Sequence, residues 1–132
     1  MDLDLINTAA SALLTERIRM NTIASNIANA HTTRDANGDS NAYRRKVVNF
    51  QSILDNQNNV SGVQGVIEED QSDLKMIFDP GHPDADQDGY VFYPNVSTEQ
   101  EMVDMLSAKA SYEANLKTIQ VTKQMFNSAL EI

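Results

Sequence analysis

Three aspartates alternate at Asp84, Asp86 and Asp88, with Gly89 behind them. That is the first half of an EF-hand loop, where alternate carboxylates converge on calcium and the glycine permits a sharp turn. Val91 adds an apolar residue at the eighth position. The twelfth position needs a bidentate glutamate, and Asn95 stands there without two carboxylate oxygens to give. Asp79-Pro80-Gly81-His82-Pro83 precedes the loop and Pro94 lies in its second half, so neither flank reads as helix. A calcium-binding module through residues 84–89 is therefore the alternative, not the leading, functional reading. The same residues suit an acidic turn, in which Asp side chains accept from backbone N–H groups and Gly supplies positive φ.

Other reactive residues are sparse. His31 and His82 sit in separate loop segments, and nothing in their spacing brings them together. No serine lies in a G-x-S-x-G elbow, and there is neither a P-loop nor a G-x-G-x-x-G. The chain has no Cys, which excludes thiol catalysis, thiolate metal sites and disulfides. Neither an enzyme nor a bound cofactor is expected. Arg44-Arg45-Lys46 is the strongest positive cluster, but a nucleic-acid site would want further basic patches and interleaved aromatics. Lys plus Arg total 10 against 19 Asp plus Glu, for a formal charge of −9. Phosphate repels such a chain, so nucleic acid and anionic membrane surfaces are poor partners. Small-molecule substrates are not expected either. The triplet reads as a solvated strand edge, or as a patch facing Glu68-Glu69-Asp70 or Asp84 to Asp88 of a neighbouring subunit.

The elements that carry these residues follow from Gly, Pro and hydrophobic spacing. All five Gly and all three Pro fall within residues 31–97. Residues 1–30 alternate three- and four-residue steps through Leu3, Ile6, Ala10, Leu13, Arg17, Met20, Ala24 and Ile27, a heptad seam interrupted only by Arg17. Residues 98–132 repeat the pattern through Met102, Met105, Lys109, Tyr112, Leu116, Ile119, Lys123, Phe126 and Leu130. Ser97 or Thr98 can cap this second helix, with Glu101 completing a capping box from Thr98. The expected fold is mainly α, with long N- and C-terminal helices pairing as an antiparallel coiled coil. Between them a small irregular β segment is expected, with strands near RRKVVNF, Gly65–Glu68, Leu74–Phe78 and Tyr90–Tyr93 and a turn at Asn37-Gly38. The domain plan is thus 1–30, 31–97 and 98–132. Hydrophobic residues are 41% but aromatics only 6%, so the core should be thin and aliphatic.

A two-helix hairpin buries one seam of each helix. Leu5, Leu14, Ile18 and Ile23 on the first and Val103, Leu106 and Val121 on the second are then left outside. That is more apolar surface than a solvated pair carries, and other subunits are expected to cover it. No basic segment precedes an apolar stretch and no stretch approaches ~20 apolar residues, so neither a Sec-type signal nor a membrane span is expected. Composition alone suggests a cytoplasmic protein.

Residues 20–30, MNTIASNIANA, end the first helix with small residues that permit close approach and with asparagines that can fix register across an interface. Here the chain resembles a known family. Ala24 to Ala30, followed by Tyr43-Arg44-Arg45, resembles the N-terminal signature of the bacterial flagellar axial proteins of rod and hook. Gln100 to Leu106 and Ser111 to Asn115 resemble the family's C-terminal helix, and Asp79 to Val96 resembles a signature of its proximal rod members. Many relatives join the first helix to Tyr-Arg by a short T-P-G link, whereas here a longer loop runs from Asn29 to Ala42.

The resemblance implies a subunit of the basal-body rod, a helical tube that transmits motor torque to the hook, with the terminal helices in its inner layer. Implied partners are other copies, the rod proteins FlgB, FlgF and FlgG, FliE and the membrane ring, and the flagellar type III export apparatus. It implies export without a cleaved signal and assembly in the periplasm. The expected interface and motif residues are Met20, Ile23, Asn26, Ile27, Asn29, Tyr43, Arg44, Arg45, Met105, Tyr112, Leu116, Ile119, Phe126 and Leu130.

Overall fold

A computed structural model describes residues 2–132, with side chains from Leu3 onward. Helix α1 spans Asp2–Ala28 and helix α2 spans Thr98–Leu130. Both are free of Gly and Pro, which lets each run uninterrupted. Four strands lie between them: β1 Lys46–Leu54, β2 Val60–Glu69, β3 Lys75–Phe78 and β4 Tyr90–Tyr93. Among the described residues no helix is long and apolar enough to cross a membrane.

Ser97 is the N-cap of α2, in extended backbone, and its hydroxyl accepts from Gln100 N. Glu99 and Glu101 in the first turn suit the positive end of the helix dipole. The expected capping box from Thr98 does not form. Glu101 turns inward instead, because a strong cationic partner lies beneath it.

The helices pack antiparallel, with Asn26 near the end of α1 bonded to Glu101 at the start of α2. The buried line on α1 is not the expected one. Ala9, Glu16 and Ile23, together with Thr15, Thr22 and Asn26, are buried. The seam is therefore displaced by one residue from Ala10, Arg17 and Ala24. On α2 the buried residues are Glu101, Ala108 and Thr122. Small side chains here let the two backbones approach closely. Larger apolar residues of the expected seam, Met102, Leu116, Phe126 and Leu130, are exposed. Ile23 was expected outside and is buried, whereas Leu5, Leu14, Ile18, Val103, Leu106 and Val121 are exposed as anticipated.

The displacement has a physical cause. One flank of α1 must also receive the β1–β2 hairpin, so its inner surface is wider than a single seam. β1 and β2 pair antiparallel from Lys46↔Glu69 to Ile53↔Gly62, with a register shift at Leu54. Ser11 Oγ accepts from Val63 N at 3.0 Å, tying this hairpin to α1. Gly65 permits the contact, since a Cβ there would lie 2.9 Å from Val48 Cγ1 and 3.0 Å from Thr15 Cγ2. The hairpin turns at Asp55, whose carboxylate accepts from Gln57 N at 2.8 Å and Asn59 N at 2.9 Å, while Asn58 adopts φ 63°.

β3 and β4 form a second, separate antiparallel hairpin, from Lys75↔Tyr93 to Phe78↔Tyr90. The middle segment is thus two hairpins rather than one β patch. Val91 and Val96 are fully buried beside Pro94, and with Ala30 they give this end of the molecule a small apolar core. The loop after α1 closes when Tyr43 N bonds to Thr32 O at 3.1 Å. Within it the expected Asn37-Gly38 turn forms, with Gly38 at φ 82° and the Asp35 carboxylate accepting from Asn37 N and Asp39 N.

Candidate functional site

The ends of α1 and α2 meet the start of β1 in a polar node. Asn26 is fully buried and all of its capacity is used. Its Nδ2 donates to Lys46 O at 2.8 Å and to Glu101 Oε2 at 3.2 Å. Its Oδ1 accepts from Tyr43 OH at 2.8 Å and from Lys46 N at 3.0 Å. A single asparagine therefore joins both helices to the first strand, and a buried amide satisfied in this way fixes one register.

Arg45 supplies the positive charge. Its Nε donates to Glu101, which is 1% exposed, and its Nη1 donates to Asp70 Oδ2 at 3.2 Å. Its Nη2 lies 3.5 Å from Asp104 Oδ2. Burial opposes the Arg45 charge, but bonding to Glu101 and that residue's charge, then Asp70, outweigh it and raise the guanidinium pKa. The N–H and hydroxyl of Ser72, followed by Arg45, hold Asp70 below the usual carboxylate range. Asn95 completes the frame. Its Oδ1 accepts from Arg45 N at 2.8 Å, and its Nδ2 donates to Asp70 O, Ser72 O and Ser72 Oγ. Arg44 donates from Nη1 to Asp70 O and Ser72 O. Among the described residues no buried side-chain polar atom lacks a partner.

These bonds revise the reading of the basic triplet. Arg44 and Arg45 find their acceptors within the chain, and Lys46 lies 5.7 Å from the Tyr43 ring centroid. Carboxylates within the chain, Glu101, Asp70 and Asp104, balance the Arg45 charge, whereas Arg44 meets only carbonyl oxygens. In the Asp84 to Asp88 run, Asp84 and Asp86 are likewise engaged locally. Asp84 accepts from Thr33 Oγ1 at 2.6 Å, Arg34 Nε at 2.7 Å and Ser40 Oγ at 3.2 Å. Those partners, Thr33 first, lower its pKa. Asp86 Oδ1 accepts from Asp88 N and Tyr90 N, the geometry of an acidic turn, and Gly89 takes φ 85°. Carboxylates committed to these donors do not converge on a common point. Among the described residues, no group of three or more His, Cys, Asp or Glu could hold a metal ion. Both histidines pack edge-on against Tyr93, with centroids 6.4 Å and 6.2 Å away. His82 Nδ1 accepts from Asp84 N, a turn contact rather than a catalytic pairing.

The other expected interface residues fall into two groups. Ile23 is buried, and Met20, Ile27, Met105, Tyr112 and Ile119 are half-buried. Asn29 stays local, donating to Ser25 O and accepting from Thr32 Oγ1. Leu116, Phe126 and Leu130 face solvent, the last two at 50% and 70% exposure. With Asn26 opposite Glu101, α1 runs out opposite Met125, so Phe126 and Leu130 overhang their partner. Sequence reasoning missed Glu101, Asp70, Asp104 and Asn95 as members of the node. One signal was present, because Glu101 shares a seven-residue phase with Ala108 and Thr122.

Residues 6–34 match the family model "Flagella basal body rod protein". Residues 87–132 match "Flagellar basal body rod FlgEFG protein C-terminal". The chain is similar to the flagellar basal-body rod protein FlgC of Bacillus subtilis, with 44% identity over 142 residues, covering 96% of this chain and 95% of that protein. It is 42% identical to the protein of that name from Borreliella burgdorferi over 146 residues, covering 96% and 94%. With that of Salmonella typhimurium it shares 37% over 131 residues, covering 98% and 96%.

Proposed function

The chain belongs to the family of flagellar basal-body rod proteins, and from that premise we propose how it serves the basal body. It is a structural subunit of the rod, one that works by contact and not by catalysis. Copies assemble with each other and with other rod components into a helical tube that carries torque from motor to hook. FlgB, FlgF and FlgG are the proposed rod neighbours, and FliE is the proposed link toward the membrane ring. The chain reaches the periplasm through the flagellar type III apparatus.

One observation carries this reading. Leu5, Leu14 and Ile18 on α1 and Val103, Leu106 and Val121 on α2 are exposed although the helices are already paired. So many large apolar side chains left in solvent mark an interaction surface. Torque through a tube needs many lateral contacts per subunit, and two long helices with outward apolar faces provide them. The test is replacement of a flagellate host's own copy by this chain, followed by purification of basal bodies. The chain should co-purify with rods, and substituting Asp at Ile27 or Ile119 should abolish swimming. Normal swimming of both variants, or rods that lack the chain, would overturn the reading.

A further inference from the structure

The β3–β4 hairpin has two unlike faces. Its pairing places Val91 inward, whereas Met76, Phe78 and Phe92 point outward at 57%, 62% and 46% exposure. Phe78 and Tyr90 meet edge-on, with centroids 5.3 Å apart. The rim of this apolar face is acidic. Asp79 and Asp88 flank it, and among the described contacts neither carboxylate has a partner. Most of the chain's net charge of −9 comes from the segment that contains the hairpins.

The distal half of α2 has the opposite character. Residues 114–130 carry Lys117 and Lys123 and no acidic side chain, and Glu131 follows at the C-cap. Lys117 and Lys123 have no described acidic partner, and exposed Leu116, Val121 and Met125 surround them. At 1.5 Å per residue, Lys117 and Lys123 lie about 29 Å and 38 Å along the helix from Thr98. The β3–β4 hairpin sits at the Thr98 end, since β4 finishes at Tyr93. The two complementary surfaces of one chain are therefore at different levels and cannot meet within it.

We propose that the outer face of the β3–β4 hairpin of one copy docks on the Lys117–Lys123 stretch of α2 of a second copy. The inference rests on the rod-subunit reading and adds to it the faces that touch. Apolar side chains supply the contact area, and opposite charge at the rim sets orientation and excludes like-charged pairings. Because the two faces differ, the contact is heterologous. Each copy keeps one free face of each kind, which is the condition for continued helical growth.

The absence of Cys makes a clean test possible. The full chain carrying Phe92→Cys and Val121→Cys replaces the host's copy, and isolated basal bodies are oxidised. A ladder of cross-linked species is expected from the double variant and none from either single variant. Dimers from Phe92→Cys alone, or cross-links only to a different rod component, would overturn the proposal. Basal bodies that contain the variant without a ladder would also overturn the contact while leaving the rod assignment intact. Absence of the chain from basal bodies even without the substitutions would instead defeat the rod assignment. Charge reversal gives a second measurement that does not depend on the cysteines. Asp79→Lys with Asp88→Lys should lose swimming, as should Lys117→Glu with Lys123→Glu, and all four together should regain part of it. No recovery in the fourfold variant, with each pair defective, would count against the proposed pairing.

Discussion

Replacing Arg45 by Met tests the node directly, because the apolar stem stays while the charge goes. Glu101, 1% exposed, would keep only the Asn26 Nδ2 bond at 3.2 Å. Removing one partner of a buried ion pair costs about 3–5 kcal/mol, because the remaining charge is left without compensation. The Arg45 side chain is 25% exposed, which calls for some discount for solvent screening. The expected loss is about 2–4 kcal/mol. Asp70 and Asp104, with side chains 27% and 26% exposed, can turn to water and add little. With a urea slope of about 2 kcal/mol/M, the unfolding midpoint followed by circular dichroism should fall by about 1–2 M. The double variant Arg45→Met, Glu101→Met removes both charges and should recover most of that loss, since an apolar replacement of a buried pair is often neutral. A single variant within about 0.5 kcal/mol of the parent, or a double variant less stable than either single, would refute the reasoning.

Further outcomes follow from other contacts. Gly65→Ala should lower stability by about 1–3 kcal/mol through overpacking. Gly81→Ala, where the nearest atom is 3.9 Å from the added Cβ, should not, as a thermal melt would show. Asp70 and Asp84 have pKa values below the ordinary 3.8. Their contribution is complete above that value and is lost as pH falls through the lower folded values. Asp70→Asn and Asp84→Asn should therefore flatten the acid limb of a stability-against-pH curve, and an unchanged limb would show that these contacts stabilise little. Titration with millimolar calcium should give no calorimetric heat, because Asp84 and Asp86 are already committed to local donors. Leu106→Ser should alter the melt by less than about 0.5 kcal/mol, as exposed sites do. Yet it should impair swimming, and normal motility would show that its face is not an interface.

The helices were legible because Gly and Pro are confined to the middle segment, and their phase was misread for a physical reason. Spacing analysis follows the large apolar residues, and in this chain many of those point outward. The buried surface of α1 and α2 uses Ala9, Thr15, Thr22, Ala108 and Thr122, small side chains that give little hydropathy signal. Met102 and Phe126 read as seam residues in sequence and face solvent in the folded chain. The turn at Asn37-Gly38 was readable because positive φ selects Gly. Asn26, Tyr43 and Arg45 were readable as motif residues, although as interface positions and not as partners of one another within the chain. Glu101 was not, since a glutamate in a first helical turn more often serves the helix end than a buried arginine. Asp70 and Asn95 reach the node only through the return of two hairpins, which local sequence does not disclose.

A density map of basal bodies assembled with this chain tests the central claim most directly. It should place the chain in the rod, with α1 and α2 side by side and Leu14, Ile18, Val103 and Leu106 covered by neighbouring subunits. A rod that lacks the chain, or one in which those four side chains remain open to solvent, would contradict the account.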